Sequence, residues 1–157
     1  SGIEYDFVCG IPNAGEPIAE AFRGLLDKGK QYKARLIKRG SGDSRRVSRF
    51  RICTRAKAKQ TAKRVLLLDD VVSGADSKLE AIEAVKKAGY EIVAIAIAID
   101  REQGGAEYLE KLGYKVFCWK GLSELLSFYY LLGVISWHRR AEVLKYIERT
   151  KLTIAPS

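Results

Sequence analysis

The sequence has few of the residues that build metal sites and disulfide frameworks. It contains one histidine and three cysteines, and the cysteines, Cys9, Cys53 and Cys118, are far apart in the chain. Their spacing fits neither a zinc site nor a redox motif. We therefore expect free thiols in a reducing, cytoplasmic setting, with Cys9 and Cys118 buried in apolar strands.

Long apolar stretches are also absent. The longest, Ile92–Ile99, has the length of a strand, whereas a membrane span requires about 18 apolar residues. The sequence shows no signal peptide, so we expect no membrane partner. It contains no methionine and begins Ser1-Gly2, which is typical of a cleavage scar, and we expect the native start to be missing.

Basic residues outnumber acidic residues by 28 to 19, which gives a net charge of +9. This charge attracts anions, and nucleic acid, an acidic membrane and a polyphosphate substrate are all compatible with it. The length of 157 residues suits one domain over residues 1–157, and a hydrophobic fraction of 47% suffices for a core. Residues 38–63 are rich in arginine, lysine, glycine and serine, which predicts a basic mobile loop with a short strand near Phe50–Cys53.

The order of predicted elements indicates an α/β fold. Strands alternate with helices, which predicts a doubly wound, mainly parallel sheet flanked by helices. Ligands of such sheets bind beyond the carboxyl ends of the strands, so the loops after Gly10, Leu68 and Ile99 are the expected sites of chemistry. The predicted strands are Tyr5–Gly10, Tyr32–Ile37, Arg64–Leu68, Ile92–Ile99 and Tyr114–Trp119, and the predicted helices are Glu16–Leu26, Ser77–Ala88, Gly104–Leu112, Leu122–Leu132 and Trp137–Ile147.

Two adjacent carboxylates, Asp69 and Asp70, follow the third predicted strand. Acids at the end of an apolar strand are costly unless they bind something, and carboxylates accept hydrogen bonds from the vicinal hydroxyls of a ribose. The small residues of Ser73–Ser77 allow backbone amides to approach an anion at the start of a helix. Ser77 and Glu80 also fit a capping box. This segment therefore predicts a site for a phosphorylated ribose.

The same segment closely resembles the binding motif for 5-phosphoribosyl-1-pyrophosphate (PRPP) in type I phosphoribosyltransferases. The resemblance implies the fold of that family, with Asp69 and Asp70 as catalytic acids that hold the ribose. It also implies that the 5′-phosphate contacts the loop formed by Ser73, Gly74, Ala75, Asp76 and Ser77. Two positions depart from the family pattern: the family usually has a hydroxyl or small side chain in place of Gly74, and Asp76 is an unfavourable neighbour for a phosphate.

Two further loops extend the resemblance, although each also fits an ordinary surface loop when taken alone. The loop Gly10–Glu16 resembles the one that holds pyrophosphate in this family, with Asn13, Ala14 and Gly15 as contact residues. The hexapeptide Asp-Arg-Glu-Gln-Gly-Gly, which begins at Asp100, is similar to a run in orotate phosphoribosyltransferases and in the matching domain of uridine monophosphate synthases. In that family the arginine contacts orotate, so the resemblance assigns Arg101 to orotate binding.

The implied reaction is the transfer of the phosphoribosyl group of PRPP to orotate, with release of pyrophosphate. Mg²⁺ is the implied cofactor, held mainly by PRPP and water without a direct protein ligand. Lys38 and Arg39 are assigned as catalytic basic residues by neighbourhood, because the histidine-containing loop signature of the family is absent. The N-terminal hood that covers the base in this family is also missing, either removed or never present. The family is typically homodimeric, so we expect a homodimer.

Two alternatives stay open. One is a phosphoribosyltransferase for another base, although a purine enzyme has less need of Arg101 as a carboxylate contact. The other is a regulator with this fold that senses PRPP and binds nucleic acid through residues 38–63. We favour the orotate enzyme and therefore expect no nucleic-acid partner. We also expect His138 on the surface, and Phe128–Tyr130 and Trp137 packed between the C-terminal helices and the sheet.

Overall fold

The structure is a computed structural model that describes residues 2–25, 32–38, 47–52 and 63–152 of the chain. Within these residues, strands and helices alternate along most of the sequence. The strands are β1 (Phe7–Gly10), β2 (Tyr32–Lys38), β3 (Val47–Ile52), β4 (Arg64–Val72), β5 (Glu91–Asp100) and β6 (Val116–Gly121). The helices are α1 (Gly15–Leu25), α2 (Asp76–Lys87), α3 (Gly105–Lys111), α4 (Leu122–Leu131) and α5 (Trp137–Arg149).

The strands form one sheet in the order β3-β2-β1-β4-β5-β6. All neighbouring pairs are parallel except β2 and β3, which are antiparallel. The predicted doubly wound, mainly parallel sheet is therefore confirmed. β4 lies at its centre, where Leu66 pairs with Val8 of β1 on one side and with Ala94 of β5 on the other.

Helices pack against both faces of the central strands. On one face, Leu67 and Ile95 belong to a buried cluster with Val85 of α2 and Leu109 of α3. On the other face, Leu66 belongs to a second buried cluster that includes residues of β1 and α1. This burial on both faces explains the uninterrupted apolar run of β4, because such a strand has no solvent-exposed face on which polar residues would alternate with apolar ones.

The second face is only partly covered. A groove of about 540 Å³ lies on it beside α1, and its lining includes Phe22, Leu66, Ala96 and Phe117. Ala96 of β5 is half-buried at this groove.

The basic region 38–63 contains more regular structure than expected. Lys38 ends β2, and β3 pairs with β2 in a hairpin, with Leu36 opposite Phe50. The strand predicted near Phe50–Cys53 is thus confirmed, with an earlier start. Arg39, Cys53 and the rest of 39–46 and 53–62 lie outside the described residues, so the mobile loop stays a prediction.

β6 and the two last helices correct two further expectations. Cys118 is exposed rather than buried, because β6 is the edge strand of the sheet, whereas Cys9 is buried as predicted. His138 is exposed, as predicted. The residues that turn inward from the last helices are Leu126 and Ile147, so the aromatic residues of this region do not pack onto the sheet.

The turn between α4 and α5 instead carries an exposed surface, here called the aromatic surface. It comprises Phe128, Tyr129, Tyr130 and Trp137, and Phe128 and Trp137 expose 55% and 64% of their area. Contiguous apolar side chains in water are typical of a contact site.

None of the described helices is long and apolar enough to cross a membrane.

Asp6 joins the beginnings of β1 and β4. Its carboxylate accepts hydrogen bonds from the backbone amides of Lys63 (3.0 Å) and Arg64 (2.9 Å) and from the Arg64 guanidinium. The side-chain hydrogen bond from Arg64 is the largest cause that lowers the pKa of Asp6 below its usual 3.8. The carboxylate therefore stabilises the fold fully above about pH 4, and this stabilisation is lost as the pH falls through the lowered pKa.

We expect Asp6→Asn to lower the free energy of unfolding by about 1–2 kcal/mol near neutral pH, because charged acceptors form the stronger hydrogen bonds. Urea unfolding measures this difference, and it should narrow in strong acid, where the wild-type carboxyl is also neutral. Glu4→Gln is the matched control, because Glu4 also pairs with Arg64 but is largely exposed. Equal stability of Asp6→Asn and the wild type near neutral pH would contradict the assigned role.

Candidate active site at the carboxyl ends of the strands

Three loops meet around the carboxyl end of β4: one continues β4 itself, and backbone hydrogen bonds attach the other two to this strand. The amide of Ile11, after β1, donates to the Leu68 carbonyl at 2.8 Å. The amide of Arg101, after β5, donates to the Val72 carbonyl at 2.8 Å. The structure therefore brings together the three loops that the sequence singled out, at the edge where parallel sheets bind ligands.

The loop after β1 passes very close to β4. A side chain on Gly10 would begin 2.2 Å from the Gly15 carbonyl oxygen, and one on Gly15 would begin 2.3 Å from the Leu68 carbonyl oxygen. Only glycine fits at these two positions. The Gly15 amide also donates to the Ile11 carbonyl at 3.0 Å, so it is already engaged. The exposed residues of this loop are Asn13 and Ala14, which follow a cis peptide bond after Pro12.

Asp69 and Asp70 lie within β4 rather than after it, because pairing with β5 continues to Val72. Asp69 is buried, and its Oδ2 lies 2.8 Å from Nζ of Lys78, while its Oδ1 accepts the Asp70 amide at 3.0 Å. Burial is the largest influence on the Asp69 carboxyl and raises its pKa, although Lys78 opposes this shift. Asp70 is half-buried and forms no ion pair with a described residue.

These contacts leave Asp69 and Asp70 with different capacities to accept hydrogen bonds from a ligand. Both oxygens of Asp69 are engaged within the protein, which leaves Asp70 as the better placed carboxylate for a ligand hydroxyl. The sequence pattern predicted equivalent roles and missed Lys78 entirely. A lysine on an amphipathic helix is usually solvated, and only the three-dimensional position of Asp69 reveals this one as buried.

The loop from β4 to α2 ends one residue earlier than predicted. α2 begins at Asp76, its N-cap is Ala75, and no side chain caps it, so the predicted capping box of Ser77 and Glu80 is wrong. Ser77 is already in the first turn of the helix. Ser73 and Gly74 are half-buried, and Asp76 and Ser77 are exposed at the helix terminus.

Arg101 lies on the other side of this loop. It lines a cavity of about 270 Å³ together with Ser73 and Gly74 of the β4–α2 loop. An arginine side chain and the predicted phosphate loop therefore share one cavity. The amide of Gly105 donates to the Ser73 carbonyl at 3.0 Å, which holds the two loops side by side.

The end of α5 supplies the remaining wall of this cavity, which the sequence did not reveal. Tyr146, Thr150 and Leu152 line it. The Leu152 amide donates to the Gln103 carbonyl at 2.9 Å, and the side-chain amide of Gln103, which is buried, donates to the Thr150 hydroxyl. Contacts between residues so distant in the chain leave no local signal in a sequence.

Glu102 attaches the same loop to α4. It has a left-handed backbone conformation with φ of 58°, and its carboxylate accepts hydrogen bonds from the amide (2.6 Å) and hydroxyl (2.7 Å) of Ser123. Asp100 accepts the Glu102 amide at 2.7 Å, and burial raises the pKa of Asp100. Arg101 is thus flanked by residues that the fold holds in place.

Basic residues lie on the opposite side of the site. A second cavity, of about 260 Å³, adjoins Asn13 and is lined in part by Arg23 and Arg35. Arg23 donates to the Val8 carbonyl at 2.9 Å, whereas Arg35 is exposed on β2. Neither arginine was among the predicted site residues. Of the predicted basic pair, Lys38 is the last residue of β2, and Arg39 lies outside the described part of the chain.

No group of three or more histidine, cysteine, aspartate or glutamate side chains in the described ranges is arranged to hold a metal ion. One edge of the sheet nevertheless brings together four groups: Asp69, Asp70, Arg101 and the amides of the β4–α2 loop. The arrangement offers hydrogen-bond acceptors for hydroxyls, a helix terminus for an anion and a guanidinium for a carboxylate.

Comparison with known proteins agrees with this geometry. The family model for the phosphoribosyl transferase domain matches residues 1–122. The chain is 32% identical over 126 residues to an orotate phosphoribosyltransferase from Sulfolobus acidocaldarius, which covers 80% of this chain and 59% of that protein. The chain therefore spans less than two thirds of this relative.

Solved structures share the fold. The UMP synthase of Leishmania donovani superimposes with a TM-score of 0.72 and 27% identity, over 93% of this chain and 30% of that one. The orotate phosphoribosyltransferase of Mycobacterium tuberculosis, solved in complex with PRPP, gives a TM-score of 0.60 and 26% identity, over 78% of this chain and 66% of that one.

The close approach at Gly15 generates a stability prediction. We expect Gly15→Ala to lower the free energy of unfolding by about 1–3 kcal/mol, because its methyl group would force α1 away from the Leu68 carbonyl. Gly24→Ala is the control on the same helix, where nothing lies within 4 Å, and it should stabilise by about 0.5–1 kcal/mol. Denaturant unfolding measures both changes. A Gly15→Ala variant as stable as the wild type would contradict the contact.

Proposed function

Because this chain belongs to the phosphoribosyl transferase domain family, we propose that it transfers the phosphoribosyl group of PRPP to orotate, which yields orotidine 5′-monophosphate and pyrophosphate. The observation that carries the proposal is the shared cavity of Arg101 with Ser73 and Gly74. It places a guanidinium, suited to the carboxylate of orotate, beside the loop suited to the 5′-phosphate of the donor.

The ribose phosphate is assigned to the segment Asp69–Ser77. Asp70 accepts hydrogen bonds from the ribose hydroxyls. Asp69 orients Asp70, because its carboxylate accepts a hydrogen bond from the Asp70 amide. The 5′-phosphate lies at the start of α2, where backbone amides and the helix dipole favour a negative charge. The PRPP complex of the Mycobacterium tuberculosis relative supports the assignment of the donor.

The pyrophosphate is assigned to the other side of the site. Asn13 and Ala14 are the exposed residues of the β1–α1 loop, and Arg35 lies at the adjoining cavity. Lys38 and Arg39 remain candidates for the same charge. As the bond to the leaving group breaks, negative charge collects on the pyrophosphate, and fixed amides and basic side chains stabilise it.

Magnesium fits this arrangement as an ion that the substrate brings. Mg²⁺ keeps several waters and binds phosphate oxygens readily, so it requires few protein ligands. When bound, the ion neutralises the pyrophosphate, while the protein residues orient the ribose and the base.

The proposal extends to a homodimer in the cytoplasm. The aromatic surface supports an assembly, because an isolated chain leaves these side chains in water.

An assay of pyrophosphate release tests the activity. We expect the full-length protein to release pyrophosphate from PRPP with Mg²⁺ and orotate, and Arg101→Ala to raise the KM for orotate by about tenfold to a hundredfold, since a charge-assisted hydrogen bond contributes about 1.5–3 kcal/mol. The KM for PRPP should change far less. Arg139→Ala, an exposed arginine on α5 paired with Glu142, is the control. Turnover with a purine and none with orotate, or equal effects on both KM values, would contradict the proposal.

Calorimetry of PRPP binding separates the roles of Asp70 and Asp76, two acids of the segment Asp69–Ser77. We expect Asp70→Asn to weaken PRPP binding by about tenfold, because it removes a charged acceptor for the ribose hydroxyls. Asp76→Asn is the contrasting variant: Asp76 lies at the start of α2, so its neutralisation should leave PRPP binding unchanged or tighten it. Unchanged binding by Asp70→Asn would count against the ribose contact.

A further inference from the structure

Lys78 is a charged residue in a place where the fold does not require one. It lies in the first turn of α2, and its side chain is only 5% exposed. A buried ammonium group is costly unless it is fully paired. An apolar side chain would fill this position on the inner side of α2 at lower cost, so the fold alone gives no reason for a lysine here.

All three donors of this ammonium group are used. Nζ lies 2.8 Å from Oδ2 of Asp69, 2.5 Å from the Val71 carbonyl oxygen and 3.3 Å from the Ser77 hydroxyl. These acceptors come from the end of β4 and the first turn of α2, which flank the β4–α2 loop on both sides. Lys78 therefore fixes the distance between the two ends of that loop.

The pair also changes what a ligand meets. Asp69 is oriented by Lys78 through one oxygen and holds the Asp70 amide through the other, at 3.0 Å. Lys78 balances the charge of Asp69 inside the protein. Asp70, by contrast, forms no ion pair with a described residue. Two unbalanced carboxylates would repel a donor that carries several phosphate charges, and pairing with Lys78 lowers the contribution of Asp69 to that repulsion.

We propose that Lys78 is a positioning residue for the phosphoribosyl donor: through Asp69 and the Val71 carbonyl, it sets the orientation of Asp70 and the geometry of the β4–α2 loop. The inference rests on the proposed function, because it takes PRPP as the ligand. It assigns no contact between Lys78 and the substrate, since the ammonium group is enclosed.

The pH dependence of binding distinguishes this role from a purely structural one. The groups that face the Asp69 carboxyl are Lys78 from α2, Asp70 along β4, and the uncharged Gly15 at the start of α1. Without Lys78, the buried carboxyl lacks a counter-ion and takes up a proton at a higher pH than in the wild type. We therefore expect the pH dependence of PRPP affinity that follows this carboxyl to lie at a higher pH in a Lys78 variant than in the wild type.

Calorimetric titration with PRPP across a neutral pH range tests the inference in Lys78→Met and in the double variant Asp69→Asn with Lys78→Met. We expect Lys78→Met to bind about tenfold more weakly or worse, with a pH dependence that lies at a higher pH than in the wild type. The double variant should also bind about tenfold more weakly, without that pH dependence, because no buried charge is left to titrate. Lys87→Met is the control, since Lys87 is exposed on the same helix and pairs with Glu83.

The outcomes separate the two proposals. If the wild type fails to bind PRPP, the proposed function falls and this inference with it. If the wild type binds and Lys78→Met binds with the same affinity and pH profile, only the inference is overturned. Should Lys78→Met not fold, the double variant decides, because it contains no unpaired buried charge. Binding by the double variant as tight as by the wild type would refute the positioning role.

Discussion

The site depends on β4, the strand that is hydrogen-bonded to a neighbour on both sides and buries apolar side chains on both faces. The carbonyls of Leu68 and Val72 in this strand, and of Ser73 just after it, accept backbone amides from the segments that follow β1 and β5. A parallel sheet places the carboxyl ends of its strands at one edge, and these bonds then fix the loops relative to one another. The loops carry the chemistry, but the central strand determines their spacing.

Charge is distributed across this edge in a way that suits a molecule with anions at both ends. The donor would meet a helix terminus at its 5′-phosphate, a carboxylate at its ribose and basic residues at its pyrophosphate. The net charge of +9 attracts such a ligand at long range, whereas the buried pair of Lys78 and Asp69 acts only locally. The long-range electrostatic attraction of the ligand and the local electrostatics of the site therefore come from different sets of residues.

Sequence reasoning located the fold and the three loops because their signals are local: an apolar run, small residues, and a change from strand to helix. It was wrong where the outcome depends on a distant partner. Cys118 lies in an apolar run, yet its strand is at the sheet edge. The burial of Lys78 depends on Asp69 across a loop, and the cavity wall at Thr150 depends on a contact with Gln103.

The attachment of the Arg101 loop at two points has a mechanical consequence. Glu102 binds the start of α4 through Ser123, and Gln103 binds the end of α5 through Thr150. The helices that bear the aromatic surface thus hold the loop between them. A partner that docked on that surface and tilted either helix would move Arg101, and by thermodynamic linkage a ligand in the cavity at Arg101 would change the affinity for that partner in equal measure. The last two helices would then couple the binding of a partner to the binding of a ligand in this cavity.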